Sequence, residues 1–239
     1  MSKKKITFEY CDKMVQKFEE VIEKPIINDS SVYYTGVDLG TACVVLAVLD
    51  ENYKPVAGAY RYADVVRDGM VVDYIGAVGI VRELKKEIEE KLNTELLYAA
   101  AAIPPGTDAL DSGAIKNVVQ AAGFELTCLL DEPTAANNLL KIENGAVVDI
   151  GGGTTGISIL KDGKVIQVVD EPTGGTHFSL VISGAYGMPF KEADKFKRDN
   201  KNHKEILPIL RPVVEKVSSI INNQIKNYDV NEISLVGGT

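Results

Sequence analysis

Apolar residues recur at helical spacing over residues 6–24. Phe8, Cys11, Val15, Phe18 and Ile22 follow at steps of three and four and form one stripe. Pro25 ends the pattern, and Asn28-Asp29-Ser30-Ser31 reads as a linker. The simplest use of the stripe is packing on the protein's own body; the alternative is a docking helix for a partner. The chain then turns β-branched and apolar. Val32–Gly36 and Thr41–Leu49 read as two strands joined by the turn Asp38-Leu39-Gly40. Residues 54–74 suggest short strands with a turn at Asp68-Gly69, and 76–92 a helix with Ile80, Leu84, Ile88 and Leu92 on one face. Tyr98–Ile103 reads as a strand stopped by Pro104-Pro105, Ala109–Ala122 as a helix ended by Gly123, Phe124–Leu130 as a strand and Pro133–Ile142 as a helix.

The pattern then begins again. Ala146–Ile150 and Thr155–Leu160 read as strands around a glycine turn, followed by Val165–Val169. A helix over 176–187 precedes a polar, Lys-rich stretch to 204. A helix over 205–226 carries Pro208 and Pro212, which suit its first turns or a kink. Ile233–Val236 is the last strand. Strands alternating with helices predict α/β layers, and the recurrence predicts a duplicated architecture.

The 239 residues, 45% of them hydrophobic, suffice for two lobes with substantial cores. The net charge of −8 disfavours nonspecific binding to nucleic acid or to an anionic membrane. Lys3-Lys4-Lys5 reads as a solvated tip. Cys11, Cys43 and Cys128 are scattered, and with only two histidines no zinc spacing exists. These features, with no secretory pattern and no apolar run of spanning length, predict a reduced, cytoplasmic protein.

The candidate chemistry lies in the two turns. Gly36-Val37-Asp38-Leu39-Gly40-Thr41 and Val148-Asp149-Ile150-Gly151-Gly152-Gly153-Thr154 each place an Asp at a strand end, then glycine, then threonine. Glycine lets backbone N–H groups converge on an anion, and threonine adds a hydroxyl. Asp38 and Asp149 would repel a phosphate but can hold Mg²⁺, directly or through water. Two such hairpins could clamp a polyphosphate. Ordinary hairpin turns are the alternative. No GxxxxGK[ST] loop occurs, and Gly151–Gly153 precedes a strand rather than the helix that a dinucleotide fingerprint requires.

Ala102-Ile103-Pro104-Pro105, then Gly123-Phe124, then Asp131-Glu132-Pro133-Thr134-Ala135-Ala136 resemble the strand-end and connecting-helix motifs of Hsp70 ATPase domains. With the two Asp hairpins and Leu235-Val236-Gly237-Gly238-Thr239, which resembles the adenosine motif, they occur in the order of the actin/Hsp70 superfamily. The resemblance implies a duplicated ribonuclease H-like fold with two lobes around a nucleotide cleft. It implies ATP or ADP with Mg²⁺, phosphates held by Gly40, Thr41, Gly151, Gly152, Gly153, Thr154, Gly174 and Gly175, and nucleoside held by Glu192, Lys195, Gly237 and Gly238. Asp38, Asp149 and a water-orienting Glu132 are the implied catalytic residues; capping of its helix is the alternative role for Glu132.

Val66-Arg67-Asp68-Gly69-Met70-Val71-Val72-Asp73-Tyr74 resembles the EutJ family of ethanolamine-utilisation proteins. That likeness implies a chaperone-like or reactivating role with weak ATPase activity, an ethanolamine-degrading enzyme or a microcompartment shell as partner, and association with the microcompartment. A nucleotide-responsive scaffold and a small-metabolite kinase are the alternatives. The lysine that Hsp70 ATPases place near the γ-phosphate has no counterpart in these motifs. The expected division is 1–31 for the helix and linker, 32–142 for lobe I with an insertion at 54–95, and 143–239 for lobe II with an insertion at 174–204. No return helix follows the adenosine motif in this reading.

Overall fold

The computed structural model describes residues 8–67 and 69–238. Lys3-Lys4-Lys5, Asp68 and Thr239 lie outside them. The chain divides into two compact units, one ending at Lys141 and the other beginning at Ile142.

The first unit contains α1 (Phe8–Glu23), β1 (Tyr34–Leu39), β2 (Cys43–Leu49), β3 (Pro55–Tyr62), the short pair β4 (Val66–Arg67) and β5 (Met70–Val71), α2 (Tyr74–Leu92), β6 (Tyr98–Ile103), α3 (Ala109–Ala121), β7 (Glu125–Asp131) and α4 (Glu132–Leu140). Its main sheet has the order β3-β2-β1-β6-β7. The first three strands are an antiparallel meander, and β6 and β7 run parallel to β1. Strand β1 alternates strictly. Val37 and Leu39 enter the core while Gly36 and Asp38 face the other way. The core face meets Ala77, Val81, Leu84 and Ile88 of α2. Leu84 and Ile88 are fully buried, and each such side chain contributes about 2 kcal/mol. Asp73 caps α2 by accepting from the Gly76 N–H at 2.9 Å, and Asn93 ends it in a left-handed conformation.

Helix α1 packs on β3, where the ring of Phe18 and the side chain of Ile22 occupy the space above Gly58. The buried stripe differs from the expected one. Cys11, Phe18, Val21 and Ile22 face inward, whereas Val15 is 54% exposed. The expected member Phe8 begins α1, and its side chain is outside the described set. The stripe is therefore covered by the unit's own sheet, as the packing reading expects.

The second unit contains β8 (Gly145–Ile150), β9 (Thr155–Lys161), β10 (Lys164–Glu171), α5 (Gly175–Tyr186), α6 (Phe190–Arg198), a 3-10 turn at Asn200–Asn202, α7 (His203–Ile225) and β11 (Ile233–Val236). Its sheet order is β10-β9-β8-β11, with β8–β10 antiparallel and β11 parallel to β8. The arrangement β3-β2-β1-β6 of the first unit is thus repeated, strand for strand.

Several boundaries move from their expected places. Strand β1 begins at Tyr34 and runs through Asp38 to Leu39, so the turn is Gly40-Thr41-Ala42. The Lys-rich stretch forms α6, whose apolar residues Phe190, Ala193 and Phe196 stand isolated among charged ones over only nine residues. Pro208 and Pro212 lie inside α7, which starts at His203 and is held by the buried Ile206, Leu210 and Val217.

Candidate functional site

In the first unit, Asp38, Ala102 and Leu130 stand in one row across the parallel strands β1, β6 and β7. Asp38 and the start of α4 therefore emerge at the same carboxyl edge, where α/β sheets bind ligands. They are two strand spacings, about 10 Å, apart. Gly40 is tightly wound: a Cβ there would stand 2.9 Å from the Cys43 carbonyl and 3.8 Å from Asp38 Oδ1. Thr41 sits half-buried in the same turn. Glu132 is the first residue of α4 and half-buried. It is not the cap. Asp131 takes that role, its Oδ1 accepting from the Thr134 N–H at 2.8 Å, and Pro133 occupies the first turn.

The second unit gathers most of the expected residues. Asp149 is the next-to-last residue of β8 and half-buried, and the loop Gly151–Thr154 closes on itself, with the Gly151 N–H donating to the Thr154 carbonyl at 3.0 Å. The start of α5 lies against that loop. Gly175 N–H donates to the Gly151 carbonyl at 2.9 Å, and Thr176 N–H to the Gly152 carbonyl at 2.8 Å. A Cβ on Gly174 would meet the Gly151 carbonyl oxygen at 2.5 Å and that of Gly152 at 3.0 Å, so only glycine fits. Gly237 closes the other side at φ +105°. A Cβ there would collide with the Ile150 carbonyl and stand 2.7 Å from Asp149 Oδ1. Gly238 is exposed with open space around it.

This packing orients the loop. In a trans peptide the C=O and the following N–H point in opposite directions. Pinning the carbonyls of Gly151 and Gly152 on α5 turns the amides of Gly152 and Gly153 away from it. Two N–H groups are thereby fixed side by side without the help of any side chain, an arrangement suited to an anion.

Burial raises the Asp149 carboxyl above the usual carboxylate range, and the charge of Asp170 raises it further. Nothing local in the sequence marks Asp170; the strand register places it in the same row as Asp149, two strands away across Gly156. Glu192 and Lys195 lie on the exposed face of α6 and do not join the cluster. The inward pair is Asp194 and Lys197, around the buried Ala193. Lys197 Nζ donates to the Gly175 carbonyl at 2.9 Å and pairs with Asp194 at 3.3 Å. Ser179 Oγ and Arg198 Nε each donate to Asp194 at 2.9 Å. Burial lowers the Lys197 ammonium from its usual value, with Asp194 opposing the shift. The network ties α6 to the first turn of α5, next to the glycine loop.

Comparison with known proteins decides the family. The ethanolamine utilization protein EutJ of Salmonella typhimurium strain LT2 is 45% identical over 217 residues, covering 91% of this chain and 76% of its own. The chain belongs to the EutJ family. The crystal structure of EutJ from Carboxydothermus hydrogenoformans superposes with a TM-score of 0.89 at 51% identity, covering 95% of this chain and 84% of that one. The family model described as MreB/Mbl protein matches residues 58–184, and that of the type IV pilus assembly protein PilM residues 130–239. MreB5 of Spiroplasma citri, solved with ADP, shares the fold at a TM-score of 0.67 and 20% identity, covering 87% of this chain and 85% of its own. The chain therefore has the actin/Hsp70-like ATPase fold. Among the described residues no helix is long and apolar enough to cross a membrane. No group of three or more His, Cys, Asp or Glu gathers there as a metal-ligand cluster.

Proposed function

We propose that the protein binds ATP or ADP with Mg²⁺ and serves ethanolamine utilisation as a chaperone-like or reactivating factor with weak ATPase activity. The observation that carries the reading is the glycine cradle of the second unit, in which Gly174 and Gly237 leave no room for a Cβ beside Gly151–Gly153 and Asp149. Close backbone approach of this kind is useful where amides must face a polyphosphate. The donor set fits the ligand. The amides of Gly152 and Gly153 and the Thr154 hydroxyl suit phosphate oxygens, while Asp149 suits a hard cation. Gly174 and Gly175 act by fixing the loop, and Gly237 and Gly238 lie where a nucleoside could approach without side-chain obstruction. MreB5 of Spiroplasma citri has been crystallised with AMPPNP as well as ADP, in the same fold.

Mg²⁺, when bound, neutralises charge on the phosphates. The residues of this chain supply the rest. Asp149 in the second unit and Asp38 in the first are the residues that would hold the cation, Gly40 and Thr41 would supply a phosphate grip in the first unit, and Glu132 would orient a water. The partner under this reading is an ethanolamine-degrading enzyme or the microcompartment shell, and the site of action is the cytoplasm or the compartment itself. Titration calorimetry of the chain with AMPPNP and ADP in the presence of Mg²⁺ tests the reading. Saturable binding that Asp149→Ala weakens is expected; no heat of binding with either nucleotide overturns it.

A further inference from the structure

We infer that His177 is a positioning residue of the phosphate site in the second unit, its ring holding the entry of α5 so that the glycine loop presents its amides to a polyphosphate. The inference rests on the nucleotide reading above and gives a role to a residue that none of the motifs contains.

One peptide carries it. The Thr173–Gly174 peptide leads into α5 and is held at both ends. Its carbonyl accepts from the Thr155 hydroxyl at 2.5 Å, and its N–H donates to His177 Nδ1 at 3.3 Å. Thr155 is fully buried in β9, directly after the loop, and Thr173 and Gly174 are buried as well. A peptide is planar, so two fixed ends set its orientation. Gly174 has no side chain to do this and few limits of its own. The helix cannot do it either, because the first N–H groups of a helix have no acceptor within it. The His177 ring, three residues on, supplies that acceptor. The His177 N–H in turn donates to the Gly174 carbonyl at 2.9 Å. Both peptides of Gly174 are therefore tied to one residue.

The consequence reaches the loop. The next two amides, of Gly175 and Thr176, hold the carbonyls of Gly151 and Gly152. Those carbonyls also crowd the Cα of Gly174, with no room for a Cβ between them. A tilt at Gly174 therefore passes to the carbonyls, and the amides of Gly152 and Gly153 turn with them, since each shares a peptide with one. From the imidazole to the anion-facing amides, every link is backbone. The first unit offers a contrast: β3 leads there into the short pair β4 and β5 rather than into a helix, and the turn at Gly40 is not built this way.

The contact selects one tautomer and separates two roles. A ring that accepts at Nδ1 carries its proton on Nε2. Asparagine places an oxygen acceptor close to the position of Nδ1, whereas glutamine reaches the position of Nε2. The two amides therefore distinguish a ring that acts on Gly174 from one that touches the ligand.

The test is AMPPNP binding with Mg²⁺ by calorimetry on the full chain and on His177→Ala, His177→Asn and His177→Gln, with amide hydrogen exchange read at Gly174. Loss of the acceptor in His177→Ala should weaken binding about tenfold and speed exchange at Gly174 by a similar factor. His177→Asn should restore both to within about threefold, and His177→Gln should restore neither. Nitrogen NMR of the wild-type imidazole should show Nδ1 without a proton, before and after AMPPNP is added. If His177→Ala does not fold, the other two variants decide: His177→Asn binding no better than His177→Gln overturns the inference. Full affinity in His177→Ala, rescue by glutamine instead of asparagine, or a proton on Nδ1 also overturns it and leaves nucleotide binding standing. Failure of the wild-type chain to bind AMPPNP overturns both.

Discussion

Replacing Gly174 by alanine isolates the contact that orients the glycine loop. The backbone at Gly174 is extended, with φ −165°, so alanine can adopt it and the effect is one of space alone. The added Cβ would lie 2.5 Å from the Gly151 carbonyl oxygen, whereas ordinary contact begins near 3.4 Å. Relief requires the loop and α5 to separate by about 0.9 Å. That movement takes the hydrogen bonds from Gly175 and Thr176, now 2.9 and 2.8 Å, beyond useful length. Two lost hydrogen bonds cost about 0.5–1.5 kcal/mol each, and residual overpacking adds about 1–3 kcal/mol. The expected local destabilisation is about 2–6 kcal/mol. Two units need not unfold together, so amide hydrogen exchange is a better assay than a single melting curve. Exchange at Gly175 and Thr176 should accelerate by at least about thirtyfold, with β1 and β2 unaffected. Gly184→Ala is the control. It sits exposed inside α5 with nothing within 4 Å of its added Cβ and should stabilise the helix by about 0.5–1 kcal/mol. Unchanged exchange at Gly175 and Thr176 in Gly174→Ala would refute the reasoning.

Other substitutions probe the remaining parts. Gly237→Ala combines a positive φ with a collision at the Ile150 carbonyl, and should destabilise the second unit by more than about 2 kcal/mol; urea titration followed at β8 and β11 amides measures this. Phe18→Ala should free α1 from Gly58 at a cost of about 1–3 kcal/mol, below the fully buried range because Phe18 is half-buried; limited proteolysis that still spares residues 8–23 would count against this packing. Burial raises the Asp194 carboxyl, but hydrogen bonds from Arg198 and Ser179 and the charge of Lys197 outweigh it and hold it below the usual range. Its stabilisation is therefore complete above the ordinary carboxylate pKa and lost as pH falls through the depressed folded value. The stability gap between wild type and Asp194→Asn should be constant near neutrality and shrink in acid; a gap independent of pH contradicts the assignment.

The two hairpins were legible because glycine, aspartate and threonine announce them locally, and the strand-helix alternation announced the duplication. What escaped the sequence was non-local. Asp170 reaches Asp149 only through the pairing of β10 with β9, and no spacing along the chain encodes it. Helix α6 is so rich in charge that its inward face holds only Ala193 and Phe196 as apolar residues, with Asp194 and Lys197 beside them. A reading by motif therefore favoured Glu192 and Lys195, which point outward. The buried stripe of α1 shifted off Val15 because the helix leans on Gly58, a position whose small size is informative only once β3 is in place.

The order in which the second sheet is completed bears on how the protein is made. β8 and β9 form a local hairpin, but the other edge of β8 is covered only by β11, with α5, α6 and α7 intervening in the chain. Gly237 follows β11. On a ribosome the hairpin therefore emerges with an unpaired edge beside Asp149, and that edge stays open until α5, α6, α7 and β11 have been synthesised. Unpaired edges recruit other strands. The glycine that shapes the site thus arrives only after the intervening helices and β11, and misassembly during that interval is a hazard built into the topology.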